Sequence, residues 1–170
     1  MTVRSTALFV LAAGAGLWSS ASAQGSLKAC SLLTDEQAKT LIHRGQRPEA
    51  PEEMPLKGGS ACAFNGGQHQ LILFSGPSSE ADFEATLKAY RYDKETRHPV
   101  SGVGDKAYIM YPPLQNKYQY PTAFLVTRVG SHTLGVVLAA ESKTATPQSV
   151  QPAAVEVAKA AIAKLRSGAK

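Results

Sequence analysis

The chain has 170 residues, a length that suits one domain around one hydrophobic core. Its formal net charge of +5 comes from 18 basic and 13 acidic residues, which are spread along the sequence. A nucleic-acid-binding protein would gather its positive charge in one run or on one face, so the distribution argues against that class.

The first 23 residues have the parts of a secretory signal peptide. Arg4 gives the positive start, residues 7–18 form a short apolar core, and residues 21–23 (Ala-Ser-Ala) match the pattern that signal peptidase cleaves. The apolar run is shorter than a membrane-spanning helix requires, which disfavours a retained anchor. We therefore expect a signal peptide at 1–23 and a single periplasmic or secreted domain at 24–170.

Two cysteines, Cys30 and Cys62, follow the signal peptide. In an exported chain such a pair predicts one disulfide. A metal site would need more ligands near by, and neither Cys-x-x-Cys nor His-x-His occurs, so no metal is predicted. A catalytic thiol would normally stand alone beside a histidine. A lipidated Cys30 is a further alternative, disfavoured because Lys28 interrupts the preceding lipidation signal.

The first half of the domain contains signals for a helix, a loop and a hairpin. Thr34 with Gln37 three residues later predicts a capping box at the start of a helix. Residues 46–59 are rich in proline and glutamate and end in two glycines, which predicts a mobile loop. Asn65-Gly66 between two short apolar runs predicts a hairpin, which the disulfide would tie to the first helix.

The second half contains two helices with strands between them. Phe83, Leu87 and Tyr90 predict a helix capped by Ser79; "KAYIMY" alternates as a strand; and a hairpin turns at residues 130–131. A closing helix with Ser149 as N-cap is predicted from one apolar stripe, formed by Val150, Ala154, Val157, Ala158, Ala161, Ile162 and Leu165. The order predicts an α+β fold: an antiparallel sheet of two hairpins plus one strand, with three helices packed on it.

The segment Gly102-Val103-Gly104-Asp105, called the GVGD turn below, allows two interpretations. A glycine-rich anion cradle follows a strand and begins a helix, whereas here a helix precedes the glycines and a strand follows them. The structural interpretation is therefore favoured. In it Gly102 and Gly104 permit a turn, and Asp105 bonds its own nearby backbone.

No catalytic residues are predicted. The histidines His43, His69, His98 and His132 have no neighbours at metal-ligand spacing, and neither Gly-x-Ser-x-Gly nor Ser-x-x-Lys occurs. A small hydrolase that pairs Asp105 with a histidine is the weakest of three functional hypotheses. No cofactor is expected.

The more unusual feature is a cluster of four tyrosines among prolines in "YIMYPPLQNKYQYP": Tyr108, Tyr111, Tyr118 and Tyr120. Tyrosine offers a large contact area with a polar tip and loses little rotamer entropy, which suits a recognition surface. The alternative is that these rings pack over the sheet edge and shield it. The first interpretation predicts a binding site at these four residues.

The order "CSLLT", Cys62 on a strand, "GVGDKAY", two strands and a closing helix resembles a group of actinobacterial cell-envelope lipoproteins of unknown function. The resemblance implies an α+β domain and a binding or accessory role, with no known catalytic residues. The first hypothesis is therefore an exported, non-enzymatic binding protein whose partner is an envelope protein or a cell-wall polymer. The second is a small-ligand carrier with a pocket between the sheet and the closing helix.

Overall fold

The computed structural model describes residues 27–43, 50–64, 68–75, 80–89, 97–113 and 120–168. The predicted signal peptide at 1–23 lies outside these residues, as do Ser79, Tyr90 and Tyr118. Among the described residues, no helix combines the length and the apolar character that crossing a membrane requires.

The described chain is built around one antiparallel sheet of seven strands in the order β1-β2-β3-β7-β6-β5-β4. The strands are β1 (Glu52–Leu56), β2 (Gly59–Phe64), β3 (His69–Ser75), β4 (His98–Pro99), β5 (Lys106–Met110), β6 (Thr122–Val129) and β7 (His132–Ala139). Strands that follow one another in the sequence pair antiparallel within β1–β3 and within β4–β7, and the pairing of β3 with β7 joins the two groups. The predicted α+β class with an antiparallel sheet is confirmed.

Helices begin and end the described chain. A 3₁₀ turn at Ala29–Leu32, called the N-terminal turn below, leads into α1 (Asp35–Ala38), which continues as a π-helical turn at Lys39–His43. The capping box is confirmed, because the Thr34 hydroxyl accepts from the Gln37 N–H and the Gln37 side chain accepts from the Thr34 N–H. Helix α2 spans Glu80–Ala89, and α3 spans Gln151–Gly168.

The two faces of the sheet bury different clusters, as the period of two along a strand requires. The larger cluster joins the N-terminal turn, α1 and α3 to one face, which we call the α3 face. Every residue of the predicted α3 stripe is buried there. The smaller cluster lies on the opposite face, the α2 face, where Phe83 and Leu87 of α2 are fully buried.

Two sequence predictions differ from the structure in their details. The loop expected at 46–59 contains strand β1, which pairs with β2 from Glu52 opposite Ala63 to Leu56 opposite Gly59. A proline is tolerated there because β1 is the last strand of the sheet, and an outer strand can dispense with one donor. With the short β4 as well, the described sheet has seven strands where five were expected.

The start of α3 also differs from the prediction. Ser149 is not its N-cap, because it lies inside a 3₁₀ turn at Pro147–Val150 and its hydroxyl donates to the Thr146 carbonyl. Helix α3 then begins at Gln151, with Pro152 in its first turn as expected.

Candidate functional site

The predicted disulfide is present between Cys30 in the N-terminal turn and Cys62 in β2. The same turn is also held by hydrogen bonds that involve no sulfur. The carboxylate of Glu53 accepts the N–H of Ala29 at 3.0 Å and the N–H of Cys30 at 2.8 Å. The Ser60 hydroxyl also accepts the Ala29 N–H, at 2.8 Å. Strands β1 and β2 therefore hold the turn by covalent and non-covalent contacts together.

The GVGD turn is packed tightly onto the end of β6. Gly102 and Gly104 have φ angles of +74° and +62°, which favour glycine. The buried Thr127 hydroxyl donates to the Val103 carbonyl at 3.0 Å, and the Asp105 N–H donates to the Arg128 carbonyl at 2.8 Å. The Asp105 N–H, which an anion cradle would need as a donor, is thus already bonded to the Arg128 carbonyl.

The side chain of Asp105 accepts a hydrogen bond from a segment distant in the sequence. The sequence had predicted a bond to the backbone next to Asp105 instead. Its Oδ2 accepts the N–H of Gly130, in the turn between β6 and β7, at 2.6 Å. Its Oδ1 lies 3.7 Å from the guanidinium of Arg166 near the end of α3. Asp105 and His132 line one cleft of about 380 Å³, yet in the described chain no hydrogen bond joins Asp105 to a histidine. The contacts of Asp105 are those of a structural residue.

His69, His98 and His132 lie on three different strands, β3, β4 and β7, while His43 ends the π-helical turn after α1. Strands β3 and β7 pair, but Ser75 lies opposite His132 at one end while His69 begins β3 at the other. His69 is 8% exposed, and its Nδ1 accepts the N–H of Ala139 at 3.2 Å. His98 packs its ring 5.4 Å from that of Tyr111. These positions separate the described histidines His69 and His132 by the length of a strand.

The predicted tyrosine site is divided between the two faces of the sheet. Tyr108 packs on the α2 face, with its ring centroid 6.3 Å from that of Phe83 and 5.6 Å from the Lys106 ammonium. Tyr111 packs on the α3 face, where its hydroxyl donates to the side-chain oxygen of Gln151. Burial raises the pKa of Tyr111 above its ordinary value. Tyr108 and Tyr111 therefore do not share one surface.

Tyr120 lies at the same end of the sheet as Tyr111. It is 36% exposed, and the ammonium of Lys143 lies 5.4 Å from its ring centroid. The next residue, Pro121, accepts the N–H of Ala140 at 2.7 Å, which places Tyr120 beside the segment after β7. The fourth residue of the predicted site, Tyr118, lies outside the described residues.

A cleft of about 330 Å³ opens at the same end of the sheet as Tyr111 and Tyr120, and we call it the sheet-end cleft. It lies between the end of β7, the last turn of α1 and the beginning of α3. Its apolar lining residues are Leu41, Ile42, Leu138, Ala139, Ala140, Ala145, Val150 and Ala153. His69, Glu141, Ser142 and Ser149 give it polar edges. An apolar recess with a few polar groups is suited to bind an apolar side chain or a small ligand.

The tyrosine–proline segment, residues 111–121, begins and ends at residues that bond to the border of this cleft. Gln151, which bonds Tyr111, directly follows the lining residue Val150, while Ala140, which bonds Pro121, is itself a lining residue. The sequence indicated the two tyrosines but not Lys143 beside Tyr120, His69 in the lining of the sheet-end cleft, or Glu53 beneath the N-terminal turn. Each reaches its position through long-range pairing, for which a single sequence carries no local signal.

The chain matches no protein-family model, no curated protein and no solved structure. The resemblance to envelope lipoproteins stays a prediction.

Proposed function

We propose that the chain is an exported, non-enzymatic binding or accessory protein of the bacterial envelope. Its partner, an envelope protein or a cell-wall polymer, is contacted through the tyrosine–proline segment at one end of the sheet. The observation that carries the proposal is that Tyr111 and Tyr120 lie at the end of the sheet where the sheet-end cleft opens: Tyr111 bonds Gln151, which follows the lining residue Val150, and Pro121, next to Tyr120, bonds the lining residue Ala140.

The two tyrosines contribute in different ways. Tyr111 is half-buried and tied to α3, so it fixes one end of the segment. Tyr120 presents an exposed ring beside the Lys143 ammonium, a pairing that offers a partner apolar area and positive charge together. Aromatic residues next to a recess are typical anchors of protein interfaces.

The test compares two exposed side chains of similar accessibility at opposite ends of the sheet. Tyr120 is 36% exposed, and Leu56, the last residue of β1, is 37% exposed. Immobilised wild type, Tyr120→Ala and Leu56→Ala are incubated with the native envelope fraction and with purified cell walls. We expect one component to be retained by wild type and Leu56→Ala and lost from Tyr120→Ala. Equal retention by all three proteins would reject the proposal.

A second candidate function, a small-ligand carrier, is favoured by the sheet-end cleft itself. Its lining is mostly apolar, and its volume of about 330 Å³ lies at the lower end of the size range of small-molecule sites. Ala153→Leu would fill the cleft from α3, because Ala153 lines it and is buried. Native mass spectrometry of protein from its own host is expected to show a bound mass in wild type and none in this variant. A clean apo mass in wild type would reject the carrier.

A further inference from the structure

Three potential metal ligands converge beneath the N-terminal turn. The sulfurs of Cys30 and Cys62 and a carboxylate oxygen of Glu53 all lie within 4.8 Å of one another. The sulfurs are joined in the disulfide, and a disulfide sulfur is a poor ligand because it is the thiolate that binds metal. Reduction would turn the same group of atoms into two thiols beside a carboxylate.

The hydrogen bonds around the disulfide would hold these residues together without it. Glu53 accepts two N–H groups of the turn and Ser60 accepts one, and none of these contacts uses a sulfur. Ala29 and Leu32 of the turn are fully buried against the α3-face cluster. The two thiols of a reduced chain therefore stay close to each other and to Glu53.

We propose that the reduced chain binds Zn²⁺ or a similar thiophilic divalent cation through the thiolates of Cys30 and Cys62 and the carboxylate of Glu53. Zinc in proteins is typically four-coordinate and takes cysteine sulfur and carboxylate oxygen as ligands, so three protein ligands leave one position for water. The backbone N–H groups of Ala29 and Cys30 orient the Glu53 carboxylate, as outer-shell donors do in metal sites.

The redox step needs a dithiol reductant as its co-reactant. The reductant gives two electrons to the Cys30–Cys62 bond, which breaks; its own sulfurs become a disulfide, and its two protons pass to the cysteine sulfurs. Zn²⁺ then displaces these protons as it binds. A cleft of about 590 Å³, lined by Glu53, Ser60 and Lys28 among others, opens beside the site and gives solvent a route to its carboxylate side. The disulfide state thus determines whether the metal site exists.

The test measures Zn²⁺ binding to oxidised and reduced mature chain by competition with a chromophoric chelator. Reduction uses a phosphine that is then removed under anaerobic conditions. We expect one equivalent of Zn²⁺ for the reduced chain and none for the oxidised chain or for the Cys30→Ser/Cys62→Ser variant. Equal binding by reduced wild type and the double variant would overturn the proposal. Loss of the far-ultraviolet circular dichroism of the fold on reduction would also overturn it, because the site requires the turn to remain in place.

The role of Glu53 as a ligand is tested by comparing its substitution with that of the adjacent Glu52. Glu53→Gln should weaken Zn²⁺ binding about tenfold or more, whereas Glu52→Gln, at an exposed position of the same strand, should leave it unchanged. X-ray absorption of Zn²⁺-loaded reduced wild type checks the ligands without any substitution. Sulfur scatterers at about 2.3 Å together with oxygen at about 2.0 Å are expected, and a shell without sulfur would contradict the assignment.

Discussion

The carboxylate of Asp105 accepts a hydrogen bond from the backbone N–H of Gly130 at 2.6 Å, which links the GVGD turn to the turn between β6 and β7. Asp105→Ala should lower the free energy of unfolding by about 1 kcal/mol, since it leaves that N–H without its protein partner. Asp105→Asn keeps an acceptor oxygen and should cost less. Arg166→Ala should change stability little, because its side chain is 61% exposed and faces Asp105 across 3.7 Å. Urea unfolding measures all three.

The two glycines of the GVGD turn should respond very differently to alanine. Both have positive φ, but a Cβ on Gly102 meets nothing within 4 Å, while one on Gly104 would lie 2.2 Å from the Thr127 hydroxyl oxygen and 2.5 Å from the Arg128 carbonyl oxygen. Gly102→Ala should therefore cost about 1–2 kcal/mol for its backbone conformation alone. Gly104→Ala should cost more than about 3 kcal/mol, because β6 must also move. Equal unfolding midpoints for the two variants would contradict this packing.

The disulfide closes a loop between residues 32 positions apart. The chain-entropy model gives about 3–4 kcal/mol for a loop of this length. Cys30→Ala/Cys62→Ala should therefore unfold at a lower urea concentration than the oxidised wild type. It should nevertheless fold, because Glu53 and Ser60 still hold the N-terminal turn. A double variant without cooperative unfolding would show that these hydrogen bonds do not suffice.

Tyr111 should make stability depend on alkaline pH. Burial raises its pKa in the folded state above that of the unfolded chain, which is about 10. Folding therefore favours the neutral hydroxyl. The stability that this contributes is fully present below the pKa of Tyr111 in the unfolded chain, and it is lost as the pH rises through the pKa of Tyr111 in the folded chain. Tyr111→Phe removes both this titration and the hydrogen bond to Gln151. Urea unfolding of wild type and variant across that pH range should show a smaller alkaline decline in the variant.

Much of the fold was predictable because its signals are local. The capping box of α1 occupies four residues, and the stripe of α3 repeats within a single helix. Strand β1 was missed because Pro55 and its neighbouring glutamates resemble a loop, and only pairing with β2 makes them a strand. The number of strands therefore depended on contacts that a single sequence does not display.

The candidate sites were harder to predict for the same reason. Tyr108 and Tyr111 are three positions apart, and a period of two already places them on opposite faces of a strand. The prediction of one binding site at all four tyrosines did not take that alternation into account. Glu53 carried no signal of its role, because it is 23 residues from Cys30 in the sequence and meets it only after β1 and β2 have paired.

The outermost strand bears on how copies of this chain behave when they are concentrated. In β1, Pro55 lies opposite Ser60 and supplies no N–H to a strand arriving from outside. Glu52, on the same strand, is exposed and would repel its counterpart in an identical strand laid alongside. Replacing Pro55 by valine would restore the missing N–H donor and favour pairing of this strand with that of another copy. Pro55 therefore disfavours self-association of the chain through β1.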